Sequence, residues 1–204
     1  MGANAKAGKL NLAVLISGGG SNLQAIIDAC KDSDFPAKVQ MVISNTPGAQ
    51  GLTRAKNAGI PAITIDHKNY DTRQDFEEAL TDALSGHDID LICLAGFMRI
   101  LTPGFIAQWP RKIINTHPSL LPKFGGEGMY GMRVHQAVLD SGEQYSGSTI
   151  HYVIPEVDKG EIIIQKQVDI HSDDTAETLA KRVLASEHIA YPEAIKQIAL
   201  KSGF

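Results

Sequence analysis

Five short runs of Val, Ile, Leu and Ala punctuate the first 116 residues, at Leu10–Ile16, 39–44, 62–65, 89–95 and 112–116. Each is nearly continuous in apolar residues, and most are followed within two residues by Gly, Asn or Pro. A strand with one wet face alternates apolar and polar side chains, whereas a strand covered on both faces does not. The runs therefore read as parallel strands with helices packed above and below. The stretches between them have helical periodicity. Ser21-x-x-Gln24 reads as a capping box ahead of Leu23, Ile26, Ile27 and Cys30, a second helix is expected over 52–58 with its stop at Gly59, and a third opens near Asp71 with Phe76, Leu80, Ala83 and Leu84 on one face.

Beyond Pro118 the pattern changes. A Gly-rich loop runs to about 132, a short helix is expected over 134–140, and two further runs, 148–154 and 161–170, are joined by the turn-like Pro155-Glu-Val-Asp-Lys-Gly160. A last helix is expected to open at the apparent capping box Asp174-x-x-Glu177, and Pro192 to kink or divide it. The expected class is α/β: a single domain over 10–204 with a mostly parallel twisted sheet, helices on both faces, an antiparallel C-terminal strand pair and a long terminal helix. Residues 1–9, small and polar, read as a disordered lead.

Composition narrows the partners. The 204 residues carry 19 Lys+Arg against 23 Asp+Glu, a net charge of −4 with no basic run, which argues against nucleic acid or an anionic membrane as the main partner. The apolar run at 12–16 is too short for a membrane span or a signal segment. Cys30 and Cys93 both lie in apolar segments with no paired spacing, so neither a disulfide framework nor a structural metal is expected, and a reducing, cytoplasmic setting fits.

Glycine exceeds its usual share of roughly 7%, with 19 residues, and two clusters stand out: Gly18-Gly19-Gly20, and Gly125, Gly126, Gly128 and Gly131. The first lies between a strand and a helix, where bare N–H groups and the helix dipole favour a phosphate. It does not fit a dinucleotide fingerprint, because Leu23 stands where a third glycine is needed and the second run ends in Ser44-Asn45 rather than a ribose-binding acid. A ligand-free tight turn is the competing reading.

The segment Ile113-Ile-Asn115-Thr-His117-Pro118 runs an apolar strand into an amide and an imidazole, at the strand end where open α/β sheets present ligands. If the strand continues to His117, both side chains face one side, as suits polarising a carbonyl and stabilising the charge it develops. A structural histidine at a strand end is an equal alternative. The other histidines, His67, His87, His135, His151, His171 and His188, show no ligand spacing. Asp158 reads locally as turn chemistry. Glu187 aligns with the apolar face of its helix, either at the core rim or held for a polar ligand such as a sugar diol, and Arg99 is a lone charge amid apolar residues, either snorkelling or gripping a carboxylate.

Taken together, Ile16-Ser-Gly-Gly-Gly-Ser-Asn-Leu-Gln24, Leu94-Ala-Gly-Phe-Met-Arg-Ile-Leu101, Asn115-Thr-His-Pro-Ser-Leu-Leu-Pro122 and Val157-Asp-Lys-Gly160 resemble the phosphoribosylglycinamide formyltransferases, from about Leu10 to the C-terminus. The resemblance implies a Rossmann-like formyltransferase fold and transfer of a formyl group from 10-formyltetrahydrofolate to glycinamide ribonucleotide in purine synthesis. It implies that Gly19, Gly20, Ser21, Asn22, Leu23 and Gln24 take the ribonucleotide, with Glu187 on the ribose hydroxyls. It implies a folate pocket of Met98, Arg99, Ile100, Leu101, Asn115, Ile154, Pro155, Glu156, Val157 and Asp158, with Arg73 at the folate's outer part. Asn115, a protonated His117 and Asp158 match the family's catalytic trio.

The loop 123–133 is longer and richer in glycine than the family's usual one, and is expected to act as a lid that orders on substrate binding. Two alternatives stand beside the transferase: a deformylase-type hydrolase of the same folate, and a catalytically silent phospho-ligand-binding module. The partners expected are the two small molecules, with the chain a monomer or homodimer.

Overall fold

The computed structural model describes residues 8–203, so the lead expected over 1–9 lies, but for its last two residues, outside the described chain. One seven-stranded sheet runs in the order β3-β2-β1-β4-β5-β6-β7. The strands are β1 (Leu10–Ile16), β2 (Ala37–Ser44), β3 (Ala62–Thr64), β4 (Leu91–Leu94), β5 (Ile113–His117), β6 (Tyr145–Tyr152) and β7 (Ile162–Asp169). The first five are parallel, while β6 pairs antiparallel with β5 and β7 with β6. Among the described residues there are six α-helices, α1 (Ser21–Cys30), α2 (Gln50–Asn57), α3 (Arg73–Ser85), α4 (Pro103–Gln108), α5 (Met132–Asp140) and α6 (Ala176–Ser202), with a 3-10 turn at His67–Asn69.

The continuous apolar character of β1 follows from its two covered faces. Leu12, Val14 and Ile16 join Leu23 and Ile26 of α1 and Tyr191 and Ile195 of α6 on one side, while Ala13 and Leu15 meet Phe76 and Leu80 of α3 and Phe105 of α4 on the other. A third cluster seats Val134 and Val138 of α5 on Leu179 and Val183 of α6. Tyr191, fully buried, reaches across the sheet: its hydroxyl lies 3.1 Å from the Leu94 carbonyl and 3.3 Å from that of Ile114.

Several local expectations are corrected. α1 is capped by Gly20 in the left-handed conformation (φ 69°) with no side-chain cap, so Ser21 is the first helical residue. Gln24 does not close a box because its side chain bonds Asp28 and Arg54. At α6 the box is Thr175 with Thr178, one residue later than expected, because Asp174 is committed to Arg182 and to the His171 N–H. Pro192 does not divide α6. It removes a single N–H, and the buried Ala190, Tyr191, Ala194 and Ile195 on either side bind the helix to the core throughout. β4 is shorter than the apolar run around it, and α4, unforeseen in a six-residue stretch, is started by Thr102 as cap and Pro103 at its first turn.

The chain steps outward from β1 to β2 and β3, then returns to the other side of β1 as β4. That reversal makes the carboxyl ends of β1 and β4 the switch point of the sheet, the position where open α/β sheets hold ligands.

Candidate active site

The turn after β1 is locked from behind. The Gly51 N–H donates to the Gly18 carbonyl (3.0 Å), and Arg54 donates through Nε to the Gly19 carbonyl (2.8 Å). A Cβ on Gly20 would lie 2.6 Å from the Gly51 Cα, so the turn and the start of α2 touch backbone to backbone. The first N–H groups of α1 thus sit at a fixed, glycine-bounded helix end. Among the residues assigned to the ribonucleotide, Leu23 is wholly buried in the core, so it offers only backbone. Asn22 donates through Nδ2 to Glu187 Oε2 at 2.6 Å, a contact across 165 residues between two buried side chains. Burial pushes the Glu187 carboxyl up to about 7, against the pull of the Asn22 bond.

The second group gathers where β5 ends. The strand runs through to His117, so Asn115 and His117 share a side, and the antiparallel register sets His151 of β6 opposite Asn115. Asn115 Nδ2 lies 3.3 Å from His151 Nε2. Asp158, in the turn between β6 and β7, faces both rings: Oδ2 is 3.3 Å from His117 Nδ1 and Oδ1 is 3.6 Å from His151 Nε2. It holds a left-handed backbone (φ 57°), a strained geometry of the kind that collects at functional positions. At 158 the turn geometry and the proximity to both rings thus coexist.

The Gly-rich loop begins inside this cluster. His117 Nε2 lies 2.7 Å from the Phe124 carbonyl, and the Gly126 N–H donates to Asp158 Oδ2 (2.9 Å). Both nitrogens of His117 thus face an acceptor, which favours the imidazolium. Burial opposes it and prevails, with the nearby His151 also disfavouring charge, so His117 titrates below its ordinary value despite Asp158 and Phe124. Burial also works to raise the Asp158 carboxyl, but His151, His117 and the Gly126 N–H hold it below its ordinary value, as a carboxylate.

The segment assigned to folate lies beyond β4. Met98 and Ile100 are exposed, and Arg99 Nε is buried without a hydrogen-bond partner among the described residues. Leu101 turns into the core beside Phe97. Ile154, Pro155 and Glu156 are exposed on the turn that leads to Asp158, with Val157 half-buried, and Arg73 stands exposed as the first residue of α3. The structure thus brings Asn115, His117 and Asp158 together, and Asn22 to Glu187. Sequence reasoning missed three contributors: His151, the Phe124 carbonyl and Arg54. His151 is set by strand register, for which its neighbours in sequence carry no signal. Among the described residues no group of three or more His, Cys, Asp and Glu is placed to hold a metal ion, and no helix is long and apolar enough to cross a membrane.

Residues 10–195 match the formyl transferase family. The chain is 46% identical over 191 residues to the trifunctional purine biosynthetic protein adenosine-3 of Gallus gallus, covering 94% of this chain but 18% of that protein, so it spans less than a fifth of that relative's length. It is 44% identical over 185 residues to the phosphoribosylglycinamide formyltransferase of Haemophilus influenzae, covering 91% of this chain and 85% of that one. The crystal structure of glycinamide ribonucleotide transformylase 1 from Symbiobacterium toebii superposes with a TM-score of 0.90 at 41% identity, over 96% of this chain and 90% of that one. With the match running over residues 10–195, and a glycine turn after β1 and an Asn-His-Asp cluster at the end of β5 on the carboxyl edge of one sheet, the chain belongs to the formyl transferase family.

Proposed function

We infer that this chain transfers the formyl group of 10-formyltetrahydrofolate to the amine of N1-(5-phospho-D-ribosyl)glycinamide, in de novo purine synthesis. The observation that carries the reading is the convergence of Asn115, His117, His151 and Asp158 at one strand end, beside a glycine turn suited to phosphate. The names of the relatives agree with it. Gly19, Gly20, Ser21, Asn22 and Gln24 take the phosphate and ribose end, with Glu187 accepting from the ribose hydroxyls. Met98, Arg99, Ile100 and the 154–158 turn line the folate, with Arg73 near its outer carboxylates.

In the reaction the amine nitrogen attacks the formyl carbon, and the carbonyl electron pair moves to oxygen. The Asn115 amide donates to that oxygen, and a proton on His117 is drawn toward it. Burial makes His117 slow to charge alone, but developing negative charge in front of it and the Asp158 carboxylate behind it favour the imidazolium during reaction. As the carbon–N10 bond breaks, N10 gains a proton and the amine loses one, so the balance closes without a covalent enzyme intermediate. Because the Phe124 carbonyl occupies His117 Nε2, the start of the 123–133 loop must shift for the ring to meet substrate, which supports the lid.

The test is a formyl-transfer assay on the wild type, His117→Ala and Asp158→Asn. Ribonucleotide-dependent turnover in the wild type, falling by about 10²–10⁴-fold in the variants, is expected. Formate release that ignores the ribonucleotide replaces the transferase with a hydrolase. Binding without turnover leaves a ligand-binding module, and full turnover in His117→Ala removes the mechanism.

A further inference from the structure

The residue before the glycine turn is tied to the segment after β4. Ser17 Oγ accepts from the Met98 N–H at 2.7 Å and donates to Asn45 Oδ1 at 2.6 Å. One hydroxyl has one proton to give and two lone pairs to offer, so these bonds fix its orientation and leave neither the Met98 N–H nor the Asn45 carbonyl oxygen unpaired. Asn45 stands at the end of β2, where dinucleotide-binding folds keep a ribose-binding acid. Here it is only 2% exposed and its side chain is turned into the protein. His67 Nδ1 lies 2.9 Å from the Asn45 backbone carbonyl and 3.2 Å from its side-chain nitrogen. The imidazole is braced in turn, edge-on to the buried Phe76 ring at 6.4 Å between centroids, with Asp66 Oδ1 3.7 Å from Nδ1.

Two loops that hold different ligands in the proposed reaction thus share one anchor. Gly18 follows Ser17 directly, and the folate-lining Arg99 and Ile100 follow Met98. We propose that Ser17, Asn45 and His67 form a positioning bridge that couples occupancy of the glycine turn by the ribonucleotide phosphate to the placement of the folate-lining segment at 98–101. The proposal rests on the functional reading above for the identity of the two ligands. None of the three residues is a reacting group. Their effect is transmitted through hydrogen bonds to backbone, so either ligand, by holding one loop, lowers the cost of ordering the other, and the coupling is reciprocal.

Titration calorimetry measures the dissociation constant of tetrahydrofolate for the intact protein with and without saturating glycinamide ribonucleotide, a pair that cannot turn over. The wild-type ratio is expected to be about five- to tenfold. In Ser17→Ala it falls to within about twofold of unity, and in His67→Ala to an intermediate value. A wild-type ratio near one, or an undiminished ratio in Ser17→Ala, overturns the bridge. Amide hydrogen exchange without ligands decides the matter independently of their identity. Exchange at Met98 is expected to quicken about tenfold in Ser17→Ala and severalfold in His67→Ala, whose ring touches neither loop. Unchanged protection of Met98 in His67→Ala overturns transmission through the bridge. Absence of ribonucleotide-dependent formyl transfer in the wild type instead overturns the functional reading and leaves the exchange result standing.

Discussion

The two glycine-rich segments differ in what fixes them. The turn at Gly18–Gly20 is held from behind, by backbone contact of Gly20 with Gly51, the Arg54 guanidinium on the Gly19 carbonyl and the Asn22–Glu187 bond just inside α1, while a Cβ at Gly18 would meet open space. The loop at 125–131 is held at its root and again at Met129, which packs against the cluster between α5 and α6 and donates its N–H to the Gly126 carbonyl (3.1 Å). Gly125 packs against Leu121 and Asp158 and Gly126 bonds the Asp158 carboxylate, while Cβ atoms built at 126, 128 and 131 meet open space. Glycine serves close approach in the first case and, in the second, left-handed backbone at 126, 128 and 131 with open space beside it. Under the proposed function an anion seat and a cover need different mechanical properties, and the same residue type would supply both through its neighbours.

That contrast can be broken most forcefully at Gly20. Gly20→Ala places a methyl group against the Gly51 backbone from a left-handed position, so kcat/KM for the ribonucleotide is expected to fall by more than about 100-fold. Activity within threefold of wild type shows instead that the turn is pliant.

Glu187 sharpens the comparison through stability. Its carboxyl holds a proton in the folded protein up to about pH 7, whereas the unfolded chain releases it near 4.5, so this group costs stability as pH rises through that window and the whole cost is present above it. Glu187→Gln removes the cost. Its melting temperature at pH 8 is expected to exceed wild type by about 6–12 °C, on roughly 3 kcal/mol, with the gain vanishing below pH 4.5, while ribonucleotide affinity drops. Equal gains at both pH values contradict a buried, reluctant carboxylate.

At the root of the 125–131 loop, Gly125→Ala sets a methyl 3.2 Å from the Asp158 Cβ, where the Leu121 side chain can yield but the turn carrying Asp158 must shift. The expected result is a fall of about tenfold in kcat with the ribonucleotide KM little changed. A KM effect as large as the kcat effect contradicts the division of labour between the two segments. The smallest effect is expected from trypsin acting at Lys123 and Arg133, where both substrates together slow cleavage about two- to fivefold. Equal rates with and without them count against a lid.

How far the sequence could be read depended on whether a feature was local. The β1 run has the expected bounds, because a strand covered on both faces announces itself through composition. The capping residues of α1 and α6 each fell one position away, since a left-handed glycine at 20 and an Asp174–Arg182 pair depend on contacts beyond the motif. Asn115 and His117 were legible as a pair on one strand, and Asp158 only through resemblance. His151 and Phe124 reach the cluster by strand register and loop path, which no short window of sequence carries.

A carboxylate poised near neutrality also acts as a small proton store. Near pH 7 Glu187 is only partly ionised, and hydroxyl donors arriving at its oxygens draw it toward full ionisation. Under the proposed assignment, taking up the ribonucleotide expels a fraction of a proton from a group that takes no part in the formyl chemistry. The heat of that binding step then depends on which buffer absorbs the proton, and its pH dependence bends near 7 whatever His117 does.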